Sequence, residues 1–165
     1  MDSESKGLEL MDISELFDTF LDAQEAGKDF PISGPLGEPT VIVMKICGPD
    51  SDRLRKARHK IMDRIHWRQR RGTYVRRGKD TEQDDNELLA SAIMDWSGII
   101  KGGEPFPYSQ ANAEYLISKY RFIRDQVDLF SSTRAFFDPG FDPKGKAQQA
   151  GDAEEPSIEN REEVQ

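Results

Sequence analysis

Apolar residues return at helical spacing in five stretches of the chain. Ile13, Leu16, Phe17, Phe20 and Leu21 make the first stripe. Leu54, Ala57, Ile61 and Ile65 make a narrower second one, with Met62 beside it. Leu89, Ala92, Ile93 and Trp96 fall at i, i+3, i+4, i+7, as do Ala113, Leu116, Ile117 and Tyr120, and Ile123, Val127 and Phe130 continue as a short last stripe. Such spacing places the apolar groups of each stretch on one face of an α-helix. The punctuation between stripes agrees. Asp12 is a helix cap, with Glu15 in the reciprocal position of a capping box, and Gly27 follows the last turn. Asp50, Ser51 and Asp52 offer caps for the second helix, whose pattern weakens after Trp67 and which frays or bends at Gly72. Thr81, with Asp84 and Asp85 in the first turn, starts a helix that runs to Trp96. Gly98, Gly102 and Gly103 stop it, the prolines of Glu104-Pro105-Phe106-Pro107-Tyr108 impose an extended elbow, and Ser109 caps the next helix.

One run has a different period. Thr40 to Cys47, TVIVMKIC, is short, rich in β-branched residues, and bounded by Pro39 and by Gly48-Pro49, which predicts a strand. Both its faces are largely apolar (Val41, Val43 and Cys47 on one, Ile42, Met44 and Ile46 on the other), so it needs cover on both sides or pairs at a subunit boundary. The preceding segment, Asp29 to Ser33, is its antiparallel partner, confined to an edge by Pro31. A two-stranded hairpin is marginal alone and needs a helix or a second copy against it. The expected fold is mainly α with a small antiparallel β-hairpin near the N-terminus, a helix-dominated α+β class. The expected organisation is a flexible lead over 1–11, a single globular helical domain over 12–137 with the hairpin at about 29–47, and a disordered acidic tail over 138–165.

Composition sharpens this. A hydrophobic share of 36% beside a charged share of 33% implies that part of the chain joins no core. Between Arg53 and Lys79 twelve Lys/Arg face a single acid, Asp63, a local excess of eleven positive charges; with a net charge of −8, the remaining residues carry −19. A chain polarised in this way attracts an acidic partner at one place and repels it elsewhere. The single cysteine, Cys47, excludes an internal disulfide and reads as a small buried hydrophobe. The acidic first residues are unlike a signal peptide, and no apolar run is long enough to span a bilayer, so a protein without membrane association is expected.

Little in the sequence carries catalytic chemistry. His59 and His66 share a helical face without a carboxylate or thiol ligand at matching spacing, and Asp84, Asp85 and Glu87 are explained by the dipole at a helix start. Gly98 to Gly103 lacks the lysine and hydroxyl ending of a phosphate loop, and no nucleophile stands with a base. The expectation is a protein that is not an enzyme, with no catalytic residue, cofactor or metal. Two features point to binding instead. The basic segment 53–79 carries Trp67 and Tyr74 among its cations, which suits phosphates and bases, an acidic protein surface, or a solvated face that balances the fold's own acids. The aromatics Phe106 and Tyr108 of the elbow, and Phe136 and Phe137 at the expected edge of order, are candidate anchors.

The order of these features resembles that of tail assembly chaperones of tailed bacteriophages. The likeness covers residues 12 to 137: a short helix and a Gly, the turn Gly37 to Thr40 (GEPT), a β run ending in Gly48 to Arg58 (GPDSDRLRKAR), a long polar helix, then Leu88 to Ile99 (LLASAIMDWSGI), Gly103 to Ile117 (GEPFPYSQANAEYLI) and Gln126 to Phe130 (QVDLF). The resemblance implies a non-catalytic protein of the infected bacterial cytoplasm. Such chaperones bind the tape-measure protein, keep its helical apolar surface from aggregating, and help bring tail-tube subunits to it. In some members a frameshift extends the chain, and Gly145-Lys146 is where a slippery codon pair would lie. The basic helix departs from the acidic character expected of this family. On this reading apolar stripes of the client dock in a groove between the first helix and the elbow, while cations of 53–79 steer acidic client segments. The acidic tail occupies the basic surface until the client displaces it. Candidate partner-binding residues are Phe17, Phe20, Arg68, Arg70, Arg71, Phe106, Tyr108, Phe136 and Phe137. Two alternatives stand beside it: a virion structural protein such as a tail completion or connector subunit, and a nucleic-acid-binding accessory protein using segment 53–79.

Overall fold

A computed structural model describes residues 10–72 and 74–143, so most of the expected lead and most of the expected acidic tail lie outside the described residues. Helices dominate: α1 (Ile13–Ala26), α2 (Asp52–Arg70), α3 (Gly78–Ala92), α4 (Gln110–Lys119) and α5 (Arg121–Ser132), followed by a 3-10 turn at Arg134–Phe137. Strands β1 (Lys28–Pro31), β2 (Val43–Ile46) and β3 (Ile93–Ser97) form one antiparallel sheet in the order β1-β2-β3. A minimal hairpin, β4 (Ile100–Lys101) and β5 (Glu104–Pro105), stands apart from it. The helix-dominated α+β class is therefore observed.

The hairpin β1–β2 forms in the expected antiparallel sense, with Phe30 opposite Met44 and Pro31 at the sheet edge opposite Val43. The sheet is nonetheless larger than expected. The helical stripe assigned through Trp96 breaks at Ala92, and Ile93 to Ser97 pair with the second edge of β2, Trp96 facing Met44 and Ser97 facing Val43. The sequence IMDWS fits either period, because from Met94 to Ser97 apolar and polar residues also alternate as along a strand. The tie is broken by the open backbone groups along β2, which a third strand satisfies. The register slips between Lys45 and Ile46, and Met94 bulges out there. Of the two outcomes expected for β2, cover on both faces within the chain is not met. Met44 and Ile46 are fully buried on one face, while Lys45 on the other is exposed and Val43 only half-buried.

α3 is the hub of the helical layer, touching α2, α4 and α5 and passing into β3 with no loop between. Leu89, Ala90 and Ala92 of α3 meet Leu116 and Ile117 of α4 and Ile123 and Val127 of α5 in one core with Phe30, Ile32, Met44 and Ile46 of the sheet. Full burial of each large aliphatic or aromatic side chain contributes about 1.5–3 kcal/mol. α3 starts at Gly78, three residues before the expected Thr81, because the Asp80 carboxylate accepts the Arg77 backbone N–H at 3.0 Å and closes the first turn. α2 ends at Arg70, followed by Gly72 at φ 75°. Gly102 and Gly103, at φ 61° and 81°, make the β4–β5 turn just before the expected extended elbow, whose first residues Glu104–Pro105 form β5.

Candidate docking surfaces

α1 begins where Asp12 accepts the backbone N–H groups of Ser14 and Glu15 at 3.0 and 3.3 Å. Its apolar stripe is for the most part not turned into the domain's core. Ile13 is 68% exposed, Leu16 49%, Phe17 50% and Leu21 43%, so the face is presented to solvent. Phe20 packs against the core cluster. The buried residue of α1 is polar: Gln24 is fully enclosed, donates to Asp50 Oδ2 at 3.1 Å and accepts the Asp50 N–H at 2.8 Å. Arg134 grips the same carboxylate through two bonds of 2.7 Å, which holds the Asp50 carboxyl below its ordinary range. α1 is thus moored at its C-terminal end and leaves its N-terminal two-thirds uncovered. From residue 10 to 26 it carries Asp12, Glu15, Asp18, Asp22 and Glu25 and no Lys or Arg. An apolar stripe bordered by acids results, and Leu16, Phe17, Thr19 and Phe20 form a shallow groove with Asp138 and Pro139.

The elbow does something different. Trp96 stacks on Phe106 at 5.9 Å between centroids, meets Tyr108 edge-on at 5.3 Å, and donates from Nε1 to Phe106 O at 2.8 Å. The Tyr108 hydroxyl donates to Ile93 O at 2.9 Å and accepts from Arg53 at 2.7 Å. The polar end of Tyr108 thereby braces the α3–β3 junction, while its ring stays half-buried. Phe106 is half-buried and keeps one side toward a cleft with α4 and α5. The expected groove between the first helix and the elbow is also corrected, since the depression beside α1 is closed by Asp138 and Pro139 and the cleft beside the elbow by α4 and α5.

Phe136 and Phe137 do not mark the end of order. Phe137 is fully buried, edge-on to Phe30 at 5.8 Å, and Phe136 is wedged between Phe130 and Phe141 at 5.5 and 5.0 Å. The chain beyond them is tied down, with Lys28 Nζ donating to Asp138 O at 2.6 Å and Phe141 O at 3.0 Å. As exposed anchors both are corrected. The aromatic rings of the 3-10 turn supply one wall of the core around Phe30, and packing continues past 137 to Phe141.

The basic segment divides by role. Arg53 bonds Ser91 O at 2.6 Å and Ile93 O at 3.1 Å, where the helix-to-strand transition leaves carbonyls without ladder partners. Arg64 bridges Asp84 at 2.7 Å and Glu87 at 2.6 Å, and Arg76 reaches the other Asp84 oxygen at 3.1 Å. Glu87, with Asp84, raises the Arg64 guanidinium above its ordinary pKa. These three cations hold α2 and α3 in place. Arg68, Arg70 and Arg71 cluster instead at the far end of α2, where the Arg71 guanidinium lies 3.9 Å over the Trp67 ring, Arg68 lies 5.6 Å from Tyr74, and Trp67 is 55% exposed. His59 and His66 are exposed on α2, and no group of three or more His, Cys, Asp or Glu among the described residues is placed to hold a metal ion. Cys47 is buried, which pushes its thiol pKa up. No helix among the described residues is long and apolar enough to cross a membrane.

One surface escaped the sequence reading. The cleft beside Phe106 has a volume of about 200 Å³, and the lysines Lys101 and Lys119 stand at its edge. Its signal was present but weak: two lysines separated by a helix, on a segment dominated by core residues. No protein-family model matches the chain, and neither a characterised protein nor a solved structure is found that is similar to it.

Proposed function

We propose that this chain is a non-catalytic tail assembly chaperone of a tailed bacteriophage, holding the helical apolar surface of the tape-measure protein in the host cytoplasm until the tail-tube subunits take over. The observation that supports this most is the uncovered face of α1. Ile13, Leu16, Phe17 and Leu21 stay 43–68% exposed on a helix whose C-terminal end is firmly moored. A client helix laid along that face buries the exposed halves of four apolar side chains, worth roughly 4 kcal/mol before the cost of ordering. A contact of that size holds reversibly, as a chaperone that must let go requires. The acids bordering the stripe favour clients whose apolar face is flanked by Lys or Arg and act mainly on the rate of encounter.

The test is co-expression of the full chain with the tape-measure protein encoded beside it. Soluble client is expected with the native chain and lost with Phe17→Asp, a surface substitution that leaves thermal stability within about 0.5 kcal/mol. Equal client solubility with and without this chain defeats the proposal. A second reading rests on a separate observation, the exposed Trp67 under Arg71 beside Arg68 and Arg70. Stacking on a base with cations around it is how single-stranded nucleic acid is gripped. That reading requires a gel shift which weakens steeply with salt and disappears when Arg68, Arg70 and Arg71 are changed to Glu.

A further inference from the structure

The cleft beside the elbow lies on a different part of the surface from α1. Ile42, Ile99, Phe106, Leu116, Phe122 and Ile123 line it, so its floor is almost wholly apolar. Its volume is about 200 Å³. A closed apolar cavity of about 150 Å³ accommodates benzene, so a space of this size takes a single Leu, Ile or Phe side chain. The floor is structurally anchored, since Leu116 and Ile123 are core residues and Phe106 is stacked on Trp96.

Lys101 is the charged residue of the cleft lining, and Lys119 stands beside it. Lys101 Nζ lies 4.2 Å from the Tyr115 ring centroid and 5.6 Å from that of Phe106. Lys119 Nζ lies 5.4 and 5.7 Å from the rings of Tyr115 and Tyr120 and donates to the Tyr115 hydroxyl at 3.0 Å. The hydrogen bond from Lys119, helped by Lys101, lowers the Tyr115 phenol below its ordinary pKa. Among the described residues neither ammonium forms an ion pair with a carboxylate, although Glu104 is the register partner of Lys101 across the β4–β5 hairpin. Two cations held against aromatic rings over an apolar hole, with no anion of their own, are complementary to a ligand that offers both parts at once.

We propose that this cleft is a second docking site, taking one large apolar side chain of an acidic peptide segment on a protein partner, with a flanking carboxylate bridging Lys101 and Lys119. The requirement is opposite in sign to that of α1, where acids border the stripe. One chain therefore presents two recognition surfaces that do not compete for the same segment.

A peptide array probed with the labelled full-length chain tests this directly. The array carries short peptides with a central Leu, Ile or Phe flanked by Asp and Glu, matched sets flanked by Lys and Arg or by Ser, and central Ser controls. Binding is expected for the acidic set with an apolar centre and for no other. The double charge reversal Lys101→Glu/Lys119→Glu, both at exposed positions, is expected to weaken it by about tenfold, the effect of losing two exposed ion pairs. Amide shift changes on titrating a binding peptide are expected at Ile99, Leu116 and Ile123. Phe17→Asp is expected to leave array binding unchanged, which separates this result from the fate of the α1 reading. The proposal is overturned if the flanking charge makes no difference, if the charge reversal binds as tightly as the native chain, or if the shifts map elsewhere. It is equally overturned if octanoate shifts the same three residues while no acidic peptide binds, since the cleft is then a small-molecule site.

Discussion

Truncation of Phe137 to Ala separates core from surface most sharply. The ring is completely enclosed and sits edge-on to Phe30 at 5.8 Å, while Phe30 is itself stacked on Phe130 at 4.4 Å. Removing a buried Phe costs about 3–5 kcal/mol through lost transfer energy and the cavity that remains. Loss of an edge-on aromatic pair contributes about 0.5–1.5 kcal/mol of that kind of effect. A drop near 4 kcal/mol is expected, a large part of the roughly 5–15 kcal/mol by which such domains are stable. Urea unfolding followed by tryptophan fluorescence, with slope and midpoint fitted separately, measures it. Phe136→Ala, which removes a half-buried ring from contact with Phe130 and Phe141, is expected to cost about half as much. If Phe137→Ala stays within about 1 kcal/mol of the native chain, the docking of the 3-10 turn described above is wrong. Loss of client binding without loss of stability would then return Phe137 to the surface.

Three further outcomes are expected. Gly98→Ala should destabilise by more than about 1 kcal/mol in thermal melts, because φ is 81° and a Cβ there would stand 2.3 Å from the Val41 carbonyl oxygen. Gly102→Ala, where the added carbon meets nothing within 4 Å, gives the comparison for positive φ without the clash. Arg64→Met leaves Glu87 unpaired and Asp84 with Arg76 alone, and should cost about 1–3 kcal/mol by chemical denaturation. The Asp50 carboxyl, lowered in the folded state chiefly by Arg134, contributes stability that is fully present above its ordinary value and is lost as pH falls through the lowered one. Acid titration of stability below about pH 4 should therefore be shallower for Asp50→Asn than for the native chain. The pair is largely solvated, so the difference at neutral pH should be small.

Much of the fold could be read from spacing and punctuation. Asp12, Ser51 and Ser109 cap their helices as their positions suggest, and Leu54, Ile61 and Ile65 are the buried stripe of α2. Local rules suffice where the cause is local. They fail at Ile93 to Ser97, where helical and strand periods coincide and a distant strand edge decides. They fail again at Phe136 and Phe137, which look terminal because a Pro- and Gly-rich stretch follows, yet Lys28 reaches across from β1 to fasten that stretch. Charge runs hide a similar division. Nothing in the sequence distinguishes Arg53, Arg64 and Arg76, which bind backbone carbonyls or buried acids, from Arg70 and Arg71, which face water. The stripe on α1 shows the reverse error: amphipathicity promised cover, and the body supplied it only to Phe20 and Gln24.

The seamless passage from α3 into β3 has a mechanical corollary. A joint without spare residues contains no hinge, so a push on α3 from α2 or α4 cannot be absorbed before it reaches Trp96. Arg53 stiffens the corner further by clamping Ser91 and Ile93 from outside. Since Trp96 carries Phe106 on its face, a tug on the elbow cleft is geared to the hub helix through a single indole. Occupancy of that cleft should therefore register as slowed amide exchange along α3, well beyond the atoms the visitor touches.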